Sequence, residues 1–578
     1  MYIDIVPNRG SPPAILLRES IRDGKRVRKR TIANLSALPI EQAEMIRRVL
    51  KGEKLGPLES ALEVVGSSAH GHVEAVLTAM RRLGFDKLVD AKPSRERDLV
   101  AAMVAGRIIA VHAEHGFAMT ASKLGLTRAW ADTTLPDELG IADADEDELY
   151  AAMDWLQERQ AAIEKRLARR HLKAGGLVLF DLTSSYFEGV SCPLAKLGYS
   201  RDGKPGTLQV NWGLLTDERG CPVAVSVFEG STGDPKTLLA QVEKMRASFG
   251  IDRLVMAGDR GMISNVQIDA MRTLGGVDWI TALKSGAIRK LADGGALQLG
   301  LFDERNLIAF THEDFPGERL IACRNPDLAR LRAAKRNDLI AATAAELDKI
   351  AAMVTGGRLR GRDKIGVRLG KVLNKYKVGK HFDYAIEDAS FSFSVNAQRV
   401  AAEAALDGLY VIRTSVAEAD MSAQAAVLNY KRLAEIERGF RTLKGIDLSV
   451  RPIRHRLEDR VKAHILLSML AYYVQWHMIE AWAPLTFMDE AGPDAARMRD
   501  PVAPARRSQA ALDKVRTRTL ADGTPVMSFT RLLAHMATIV RNTMRSASAR
   551  IGEATFTLTT RPNPKQRQAL DLLAAIHV

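Results

Sequence analysis

The sequence predicts a mixed α/β (α+β) protein with one central sheet, and three observations lead to this class. A helical pattern fills residues 68–173, and three strand-like runs follow it directly: LVLF, LQVNWGLL and PVAVSVFEG. Helices then alternate with two further strands, LVMA and WITAL. Consecutive strands joined by short turns predict an antiparallel meander. The complete order, β-β-β-α-β-α-β, is that of a ribonuclease-H-like catalytic core.

Composition limits the class of partner. The chain has 578 residues, enough for roughly three to five domains. It carries 83 Lys and Arg against 69 Asp and Glu, a net charge of +14, which favours nucleic acid first and an anionic membrane surface second. Three cysteines, Cys192, Cys221 and Cys323, offer neither a disulfide framework nor paired metal-ligand spacing. We therefore expect a reducing cytoplasm and a metal site, if any, built from oxygen ligands.

No segment predicts export or a membrane span. The beginning of the chain lacks a basic region followed by an apolar run, so no secretory signal is expected. The most apolar stretch, residues 463–485, is interrupted by Gln475, His477 and Glu480, which favours a buried core helix. The expected location is cytoplasmic.

Changes of pattern along the chain predict six segments. Residues 1–60 form a β module with a basic hairpin arm from Lys25 to Arg30. The others are a helical segment (61–175), the first part of the catalytic core (176–284), a mainly β insertion (285–415), the second part of the core (416–482) and a C-terminal helical region (483–578).

Two aspartates follow buried strands. Asp181 comes directly after LVLF, and Asp259 comes after LVMAG, so both carboxylates are expected at the C-terminal ends of strands. Two acids at adjacent strand ends can share divalent cations, which prefer carboxylate oxygens. Either residue alone would more simply be a helix cap or a solvated loop acid, and the strand order favours the chemical role.

The helix predicted for residues 420–444 supplies a third acid. At about 100° per residue, its apolar stripe consists of Leu433, Ile436, Phe440 and Leu443. A polar row beside that stripe consists of Tyr430, Glu437 and Lys444. Glu435 falls on the solvent side, so Glu437 is the better ligand. The alternative is that this row is an ordinary solvated flank of an amphipathic helix.

These motifs carry a resemblance. FDLTSSYFEG, AGDRGM and YKRLAEIERGFRTLKG, in that order, resemble the DDE transposases of bacterial insertion sequences. The most similar group has a β insertion before the glutamate helix and a tyrosine-arginine-glutamate-lysine signature. The opening YIDIVPNRGSPPAILLRES and the later SFTRLLAHMATIVRN fit the same family. Leu433 stands where the signature arginine is expected, and Arg432 and Arg441 are the alternatives for its role.

The resemblance implies an activity and a set of ligands. Asp181, Asp259 and Glu437 would bind two Mg²⁺ ions, or Mn²⁺, about 3.5 to 4 Å apart. The enzyme would cleave transposon ends and transfer the freed 3′-hydroxyl into target DNA, as a homodimer in the synaptic complex and without a small-molecule cofactor. Its location would then be the nucleoid. The predicted DNA contacts are Tyr430, Arg441, Lys444, Arg451 and Arg454.

Further basic regions predict additional DNA contacts. From Arg441 to Lys462, seven Arg or Lys stand against three acids, which suits phosphate binding unless this is a solvated helix face. A second basic run extends from Arg358 to Lys380. Within and beside it, Tyr376 and Phe382 could stack on a displaced base, although aromatic residues in strands more often fill cores.

Recognition of the inverted-repeat ends is expected in the first two segments, with residues 122–130 as a helix-turn-helix-like unit. His70, His112 and His115 lack metal-ligand spacing and are expected to be capped or core histidines.

Three other classes of protein are alternatives, and the first two remain open. One is a ribonuclease-H-like DNA nuclease or resolvase without strand transfer, which would share all three acids. Another is a catalytically inactive, DNA-binding descendant of a transposase. A basic peripheral membrane protein is disfavoured, because no basic amphipathic helix with aromatic anchors is seen.

Overall fold

The chain divides into two compact units. The computed structural model describes residues 1–53, 62–109, 122–297, 306–445, 448–491, 500–503, 505–546 and 555–578. One unit comprises residues 1–69 and 539–561, and the other comprises residues 70–538 and 562–578.

Strands occur in both units. In chain order the described strands are β1 (Tyr2–Val6), β2 (Ala14–Asp23), β3 (Arg26–Asn34), β4 (Leu62–Ala69), β5 (Leu177–Tyr186), β6 (Lys196–Leu197), β7 (Leu208–Thr216), β8 (Pro222–Glu229), β9 (Leu254–Ala257), β10 (Val277–Ala282), β11 (Leu307–Phe310), β12 (Arg319–Arg324), β13 (Phe382–Ile386), β14 (Phe391–Val395), β15 (Leu409–Thr414), β16 (Val540–Ser546) and β17 (Phe556–Thr559).

Helices dominate the larger unit. In chain order the described α-helices are α1 (Ile40–Leu50), α2 (Gly71–Arg82), α3 (Phe85–Val89), α4 (Arg95–Ile109), α5 (Lys123–Trp130), α6 (Leu135–Leu139), α7 (Glu146–His171), α8 (Pro235–Ala247), α9 (Asn265–Leu274), α10 (Ser285–Asp293), α11 (Pro326–Thr355), α12 (Arg362–Tyr376), α13 (Ala397–Ala404), α14 (Ala423–Lys431), α15 (Leu433–Lys444), α16 (Glu458–Ala481), α17 (Gln509–Thr517), α18 (Phe529–Met536) and α19 (Pro564–Ala574).

The smaller unit contains two three-stranded antiparallel sheets. The sheet β1-β2-β3 packs Ile3 and Ile15 against Ala43 of α1, and the basic residues 26–30 of the predicted hairpin arm are exposed on β3. The second sheet has the order β17-β16-β4. The C-terminal region, expected to be helical, therefore contains two strands. The residues FTLT of β17 favour strands, whereas β16 (VRNTMRS) has only two such residues, Val540 and Thr543, and its partner β4 lies some 470 residues earlier in the chain.

Two long helices organise the larger unit. The acidic beginning of α7 forms a capping box, in which Asp145 accepts a hydrogen bond from Glu148 N (2.9 Å) and Glu148 accepts one from Asp145 N (3.3 Å). The helix α16 contains most of the apolar stretch 463–485, and its residues from Ala463 to Gln475 are all buried. Among the described residues no helix has the length and apolar character needed to cross a membrane.

The central sheet gives the fold class. Its order is β11-β12-β15-β10-β9-β5-β7, with β6 and β8 both paired to β7. Within it, β8-β7-β5 is an antiparallel meander, and β9 and β10 continue in parallel with β5. If β5, β7, β8, β9 and β10 are numbered 1 to 5 along the chain, their order across the sheet is 3-2-1-4-5. The predicted ribonuclease-H-like core is confirmed.

The segment between residues 285 and 415 holds more helix than the predicted mainly β insertion. The α-helices described in this segment are α10 to α13, of which α11 has 30 residues. The strands β11, β12 and β15 extend the central sheet. Of the strands described there, β13 and β14 form a separate pair. Part of the predicted basic run 358–380 forms α12, in which Ile365 and Leu369 lie one helical turn apart and both are buried.

Candidate active site

Asp181 and Asp259 occupy equivalent positions just beyond the parallel pairing of β5 with β9. The register pairs Leu179 of β5 with Ala257 of β9, and each aspartate comes two residues later. Adjacent strands lie about 4.8 Å apart. Burial raises the pKa of Asp181 to about 7; the hydrogen bond from Leu182 N (2.8 Å) acts against this rise, and the charge of Asp259 adds to it. The charge of Asp259 therefore reaches the carboxyl group of Asp181.

The sequence suggested that Asp181 lies at the end of its strand, but in the structure it lies within β5. β5 continues to Tyr186 in antiparallel pairing with β7, and only its parallel pairing with β9 stops at Leu179. The polar residues after Asp181 can remain in a buried strand because their hydroxyl groups have partners. Ser184 Oγ accepts from Arg201 N (2.9 Å), and Ser185 Oγ accepts from Trp212 Nε1 (3.0 Å).

Glu437 is oriented by the apolar face of α15. The predicted stripe packs inward, with Ile436 and Leu443 buried and the Phe440 ring in edge contact with Trp212 of β7 at 5.2 Å. Leu433 is only half-buried. This packing leaves Glu437 exposed.

Tyr430 lies within electrostatic reach of all three acids. The predicted helix 420–444 is two helices, because the chain makes a turn at Arg432 between α14 and α15. Burial raises the pKa of Tyr430 to about 12. The negative charges of the acids act in the same direction, in the order Asp259, Asp181 and Glu437. The structure therefore brings the three predicted acids to one place despite the break.

The donor set suits hard divalent cations. All three side chains offer carboxylate oxygens, the ligands that Mg²⁺ and Mn²⁺ prefer. The raised pKa of Asp181 indicates a carboxyl group short of nearby positive charge, which a bound cation would supply. Among the described residues these acids do not form a trio with ligand atoms all within 4.8 Å of one another.

Arg201 and Asp234 adjoin the site and were missed as site residues. They form an ion pair of 2.5 Å, and both act electrostatically on the pKa of Asp181, Arg201 lowering it and Asp234 raising it. Asp234 directly precedes α8, but its side chain makes no capping hydrogen bond. No spacing pattern links these residues to Asp181, because the loop before β7 and the turn after β8 meet only in the folded chain.

Lys444 is held in a buried ion pair instead of lying on the surface. Its Nζ lies 2.9 Å from Asp202 Oδ1, and the two side chains are 9% and 1% exposed. Arg451 reaches the same oxygen at 2.5 Å and donates from Nε to Lys444 O at 2.9 Å. The predicted phosphate contact by Lys444 is therefore corrected, whereas Arg451 is 31% exposed and its predicted contact stays a prediction. Both cations fasten the Asp202 loop to the end of α15.

Leu433 stands where the signature arginine is expected, and the structure shows where the neighbouring arginines lie. Arg432, one alternative for the signature arginine, donates to Glu218 O (3.2 Å) and Oε2 (2.8 Å) in the turn between β7 and β8. Arg441, the other alternative, is exposed on α15. Arg260 lies close enough to Tyr430 to lower its pKa and directly follows Asp259. Its position in AGDRGM is the signal that could have identified it.

The remaining predicted contacts are divided between surface and core. Arg454 is exposed and pairs with Glu188 at 2.9 Å. Phe382 is 2% exposed within an apolar cluster, so it cannot stack on a base. His70 is buried and its Nδ1 lies 2.8 Å from Thr134 Oγ1, as expected for a core histidine. His112 and His115 lie outside the described residues.

Sequence comparison now identifies the family. A model described as "Transposase DDE domain" matches residues 177–474, which begin at β5 and include all three acids. The chain belongs to the DDE transposase family. A model described as "IS1634 family transposase, N-terminal domain" matches residues 3–59 of this transposase. The resemblance to transposases of bacterial insertion sequences is confirmed, and divalent metal ions are the cofactors general to the family.

Other comparisons with this transposase are more distant. No curated protein matches the chain. Among solved structures it is similar to the cryo-EM structure of the piggyBac transposase synaptic complex with hairpin DNA. The identity is 8%, the TM-score is 0.33, and the match covers 81% of this chain and 76% of that chain. A likeness at this level carries no inference about mechanism.

Proposed function

We propose that this transposase cleaves DNA at transposon ends and transfers the freed 3′-hydroxyl into target DNA. The observation that carries the proposal is the equivalent position of Asp181 and Asp259 beyond the parallel pairing of β5 with β9, with Glu437 acting on the same phenol, Tyr430. The three acids are proposed to hold two divalent ions, Mg²⁺ or Mn²⁺. When bound, such ions activate the attacking water or 3′-hydroxyl and stabilise the leaving oxygen.

Residues beside the acids are proposed to orient the scissile phosphate. With a pKa near 12, Tyr430 keeps its proton at neutral pH, so its hydroxyl can donate a hydrogen bond to a phosphate oxygen. Arg260 adds a positive charge next to Asp259. Both groups bind the phosphate and neither needs to exchange a proton with it.

A basic cleft that begins at Arg260 offers a path for DNA. It has a volume of about 500 Å³ and lies between α10, α11 and the end of α12. Its exposed cations are Arg260, Arg289, Arg332, Lys335, Lys377 and Lys380, of which Lys380 is paired with Glu403. Phosphates bound there would release counterions, which makes affinity depend on salt.

The acids that line the cleft are already paired. Asp407 accepts two hydrogen bonds from Arg336, at 2.9 and 2.6 Å. Glu403 lies 2.7 Å from both Lys380 and His381. The exposed cations of the cleft therefore keep their excess charge, and this supports a polyanion as occupant. Part of the predicted basic run 358–380 contributes to this surface.

Removing cations from the cleft should lower the affinity for DNA and make that affinity less dependent on salt. For the variant Arg289→Ala/Arg332→Ala/Lys335→Ala we expect a lower affinity for end DNA. The slope of log affinity against log salt should fall by about 0.9 for each DNA phosphate that the variant no longer neutralises. Fluorescence anisotropy over a salt series measures both quantities.

A matched control removes three cations of α11 and α12 that lie outside the cleft: Arg330→Ala/Lys349→Ala/Lys371→Ala. This control should keep the wild-type slope within error. Equal slopes for the two variants would mean that the effect is one of net charge and that the cleft is not the DNA path.

Magnesium should stabilise the protein more as pH rises. Because the folded-state pKa of Asp181 is about 7 and the ordinary value is 3.8, the metal-free folded state holds a proton that the unfolded state has lost. The contribution of Asp181 to stability is therefore present at low pH and is lost as pH rises from about 4 to 7. Mg²⁺ binds the deprotonated form, so its shift of Tm should be larger at pH 8 than at pH 6.

Thermal unfolding with and without Mg²⁺ at both pH values provides the measurement. Asp181→Asn, which carries no proton to lose, should remove the pH dependence of the Mg²⁺ shift. A shift of equal size at both pH values in the wild type would contradict the assignment of Asp181 as a metal ligand.

The proposed reaction is tested with a supercoiled plasmid that carries the inverted repeats. Incubation with the protein and Mg²⁺ should give cuts that map to the transposon ends, and a target plasmid should gain the joined ends. Cleavage without joining would instead indicate a nuclease or resolvase. Binding without cleavage would indicate an inactive descendant. Because two ends must be cut together, we also propose a homodimer, which light scattering of the DNA complex would detect.

A further inference from the structure

A second group of potential metal ligands lies away from the acids. His171 at the end of α7, Cys221 immediately before β8 and His477 on α16 each offer one ligand atom, and these atoms all lie within 4.8 Å of one another. Cys221 and His477 are buried and His171 is half-buried. The three residues are far apart in the sequence, so spacing could not reveal them, and the expectation of oxygen ligands alone did not anticipate them.

The geometry matches a tetrahedral site. Cys221 Sγ lies 3.8 Å from His477 Nε2. With Zn–S near 2.3 Å and Zn–N near 2.0 to 2.1 Å, tetrahedral angles separate sulfur and nitrogen ligands by about 3.6 Å. Only a small adjustment is therefore needed for both atoms to bind one ion. His171 is the third ligand, and a water molecule can complete the set.

Neighbouring groups hold these side chains in place. Asp217 Oδ1 accepts hydrogen bonds from Cys221 N (3.0 Å) and Arg219 N (2.8 Å), which fixes the backbone of the cysteine. Tyr473 Oη lies 3.1 Å from His171 Nε2, and its ring is in edge contact with His477 at 4.8 Å. Such outer partners orient ligands in protein metal sites.

We propose that His171, Cys221 and His477 bind a thiophilic divalent cation of the Zn²⁺ type. On binding, the Cys221 thiol releases its proton to solvent, and the thiolate and two neutral imidazoles become the ligands. The ion joins the helical segment to the catalytic core, because α7, the turn before β8 and α16 each supply one ligand. Sulfur and imidazole ligands select against Mg²⁺, so the site is chemically distinct from the acids.

The test uses full-length protein without a histidine tag. After exposure to Zn²⁺ and dialysis, metal analysis should find one equivalent retained. After exchange with Co²⁺, absorption should show the thiolate-to-cobalt charge-transfer band. Cys221→Ser should lose the band and retain less zinc. Cys192→Ser, which changes another buried cysteine, should keep both.

Further variants keep the proposal falsifiable. If Cys221→Ser does not fold, His171→Ala offers the same comparison at a half-buried position. Asp181→Asn/Asp259→Asn should keep the band, because oxygen ligands give none. A wild-type protein that retains no zinc, a band that survives Cys221→Ser, or a band that Cys192→Ser removes would overturn the proposal. The first result would leave a simple thiol–imidazole contact.

Discussion

Replacing Glu437 with Gln should lower end cleavage by about a hundredfold to a thousandfold. The amide keeps the size of the side chain but loses the charge needed to bind a divalent ion and stabilise the transition state. Because Glu437 is exposed, stability should change by less than about 0.5 kcal/mol. Initial rates of nicking at the transposon ends measure the effect, and anisotropy should show DNA binding retained.

Glu435 provides a matched control on the same helix. Glu435 lies two residues before Glu437 and accepts a hydrogen bond from Arg438 at 2.6 Å. It packs closely on the turn before β8, where a Cβ added to Gly220 would lie 2.7 Å from the Cβ of Glu435. The predicted solvent-side position is thus partly covered, but it faces away from the aspartates. Glu435→Gln should cleave at near the wild-type rate. Equal losses in the two variants would remove Glu437 from the active site.

Replacing Asp202 with Ala should destabilise the protein by about 3 to 5 kcal/mol. The change leaves Lys444, which is 9% exposed, without its partner, and an unpaired buried charge is costly. Burial already lowers the pKa of Lys444, while the hydrogen bond with Asp202 acts in the opposite direction. Loss of that bond should therefore favour either unfolding or a neutral lysine. Urea unfolding at pH 7 gives the free-energy difference.

The exposed pair between Arg454 and Glu188 serves as the comparison. Its side chains are 56% and 47% exposed, so Glu188→Ala should cost less than about 1 kcal/mol. If Asp202→Ala cost no more than Glu188→Ala, the ion pair at Lys444 would not be what fastens the loop to α15.

The sequence predicted the acids because the relevant signals are local. An apolar run followed by Asp181 or Asp259, and a helix face that contains Glu437, can be read from patterns over about 15 residues or fewer. The same reasoning suggested that Lys444 faces DNA, since a helix wheel shows which side a residue occupies but not what packs there. The carboxylate that covers it, Asp202, lies 242 residues away.

Other features depended on contacts that no local pattern encodes. The ion pair of Arg201 with Asp234 and the cluster around Cys221 each join segments that meet only through the order of the strands. Helix content between β12 and β15 was underestimated because glycine and lysine weaken the helical signal of α12. The apolar side of α12 packs against α11 in one buried cluster. Long-range packing, not propensity, decided these regions.

The register of β12 and β15 has a consequence for how such proteins diversify. Arg324 and Leu409 are antiparallel partners, and Asn325 N donates to Gly408 O at 2.9 Å. Residues 326–407 are therefore the loop of a β-hairpin, and this loop has an apolar core of its own. Its length and sequence can change without moving the strands on either side. The part of the proposed DNA cleft that this loop forms can therefore change while the proposed metal-binding carboxylates stay where they are.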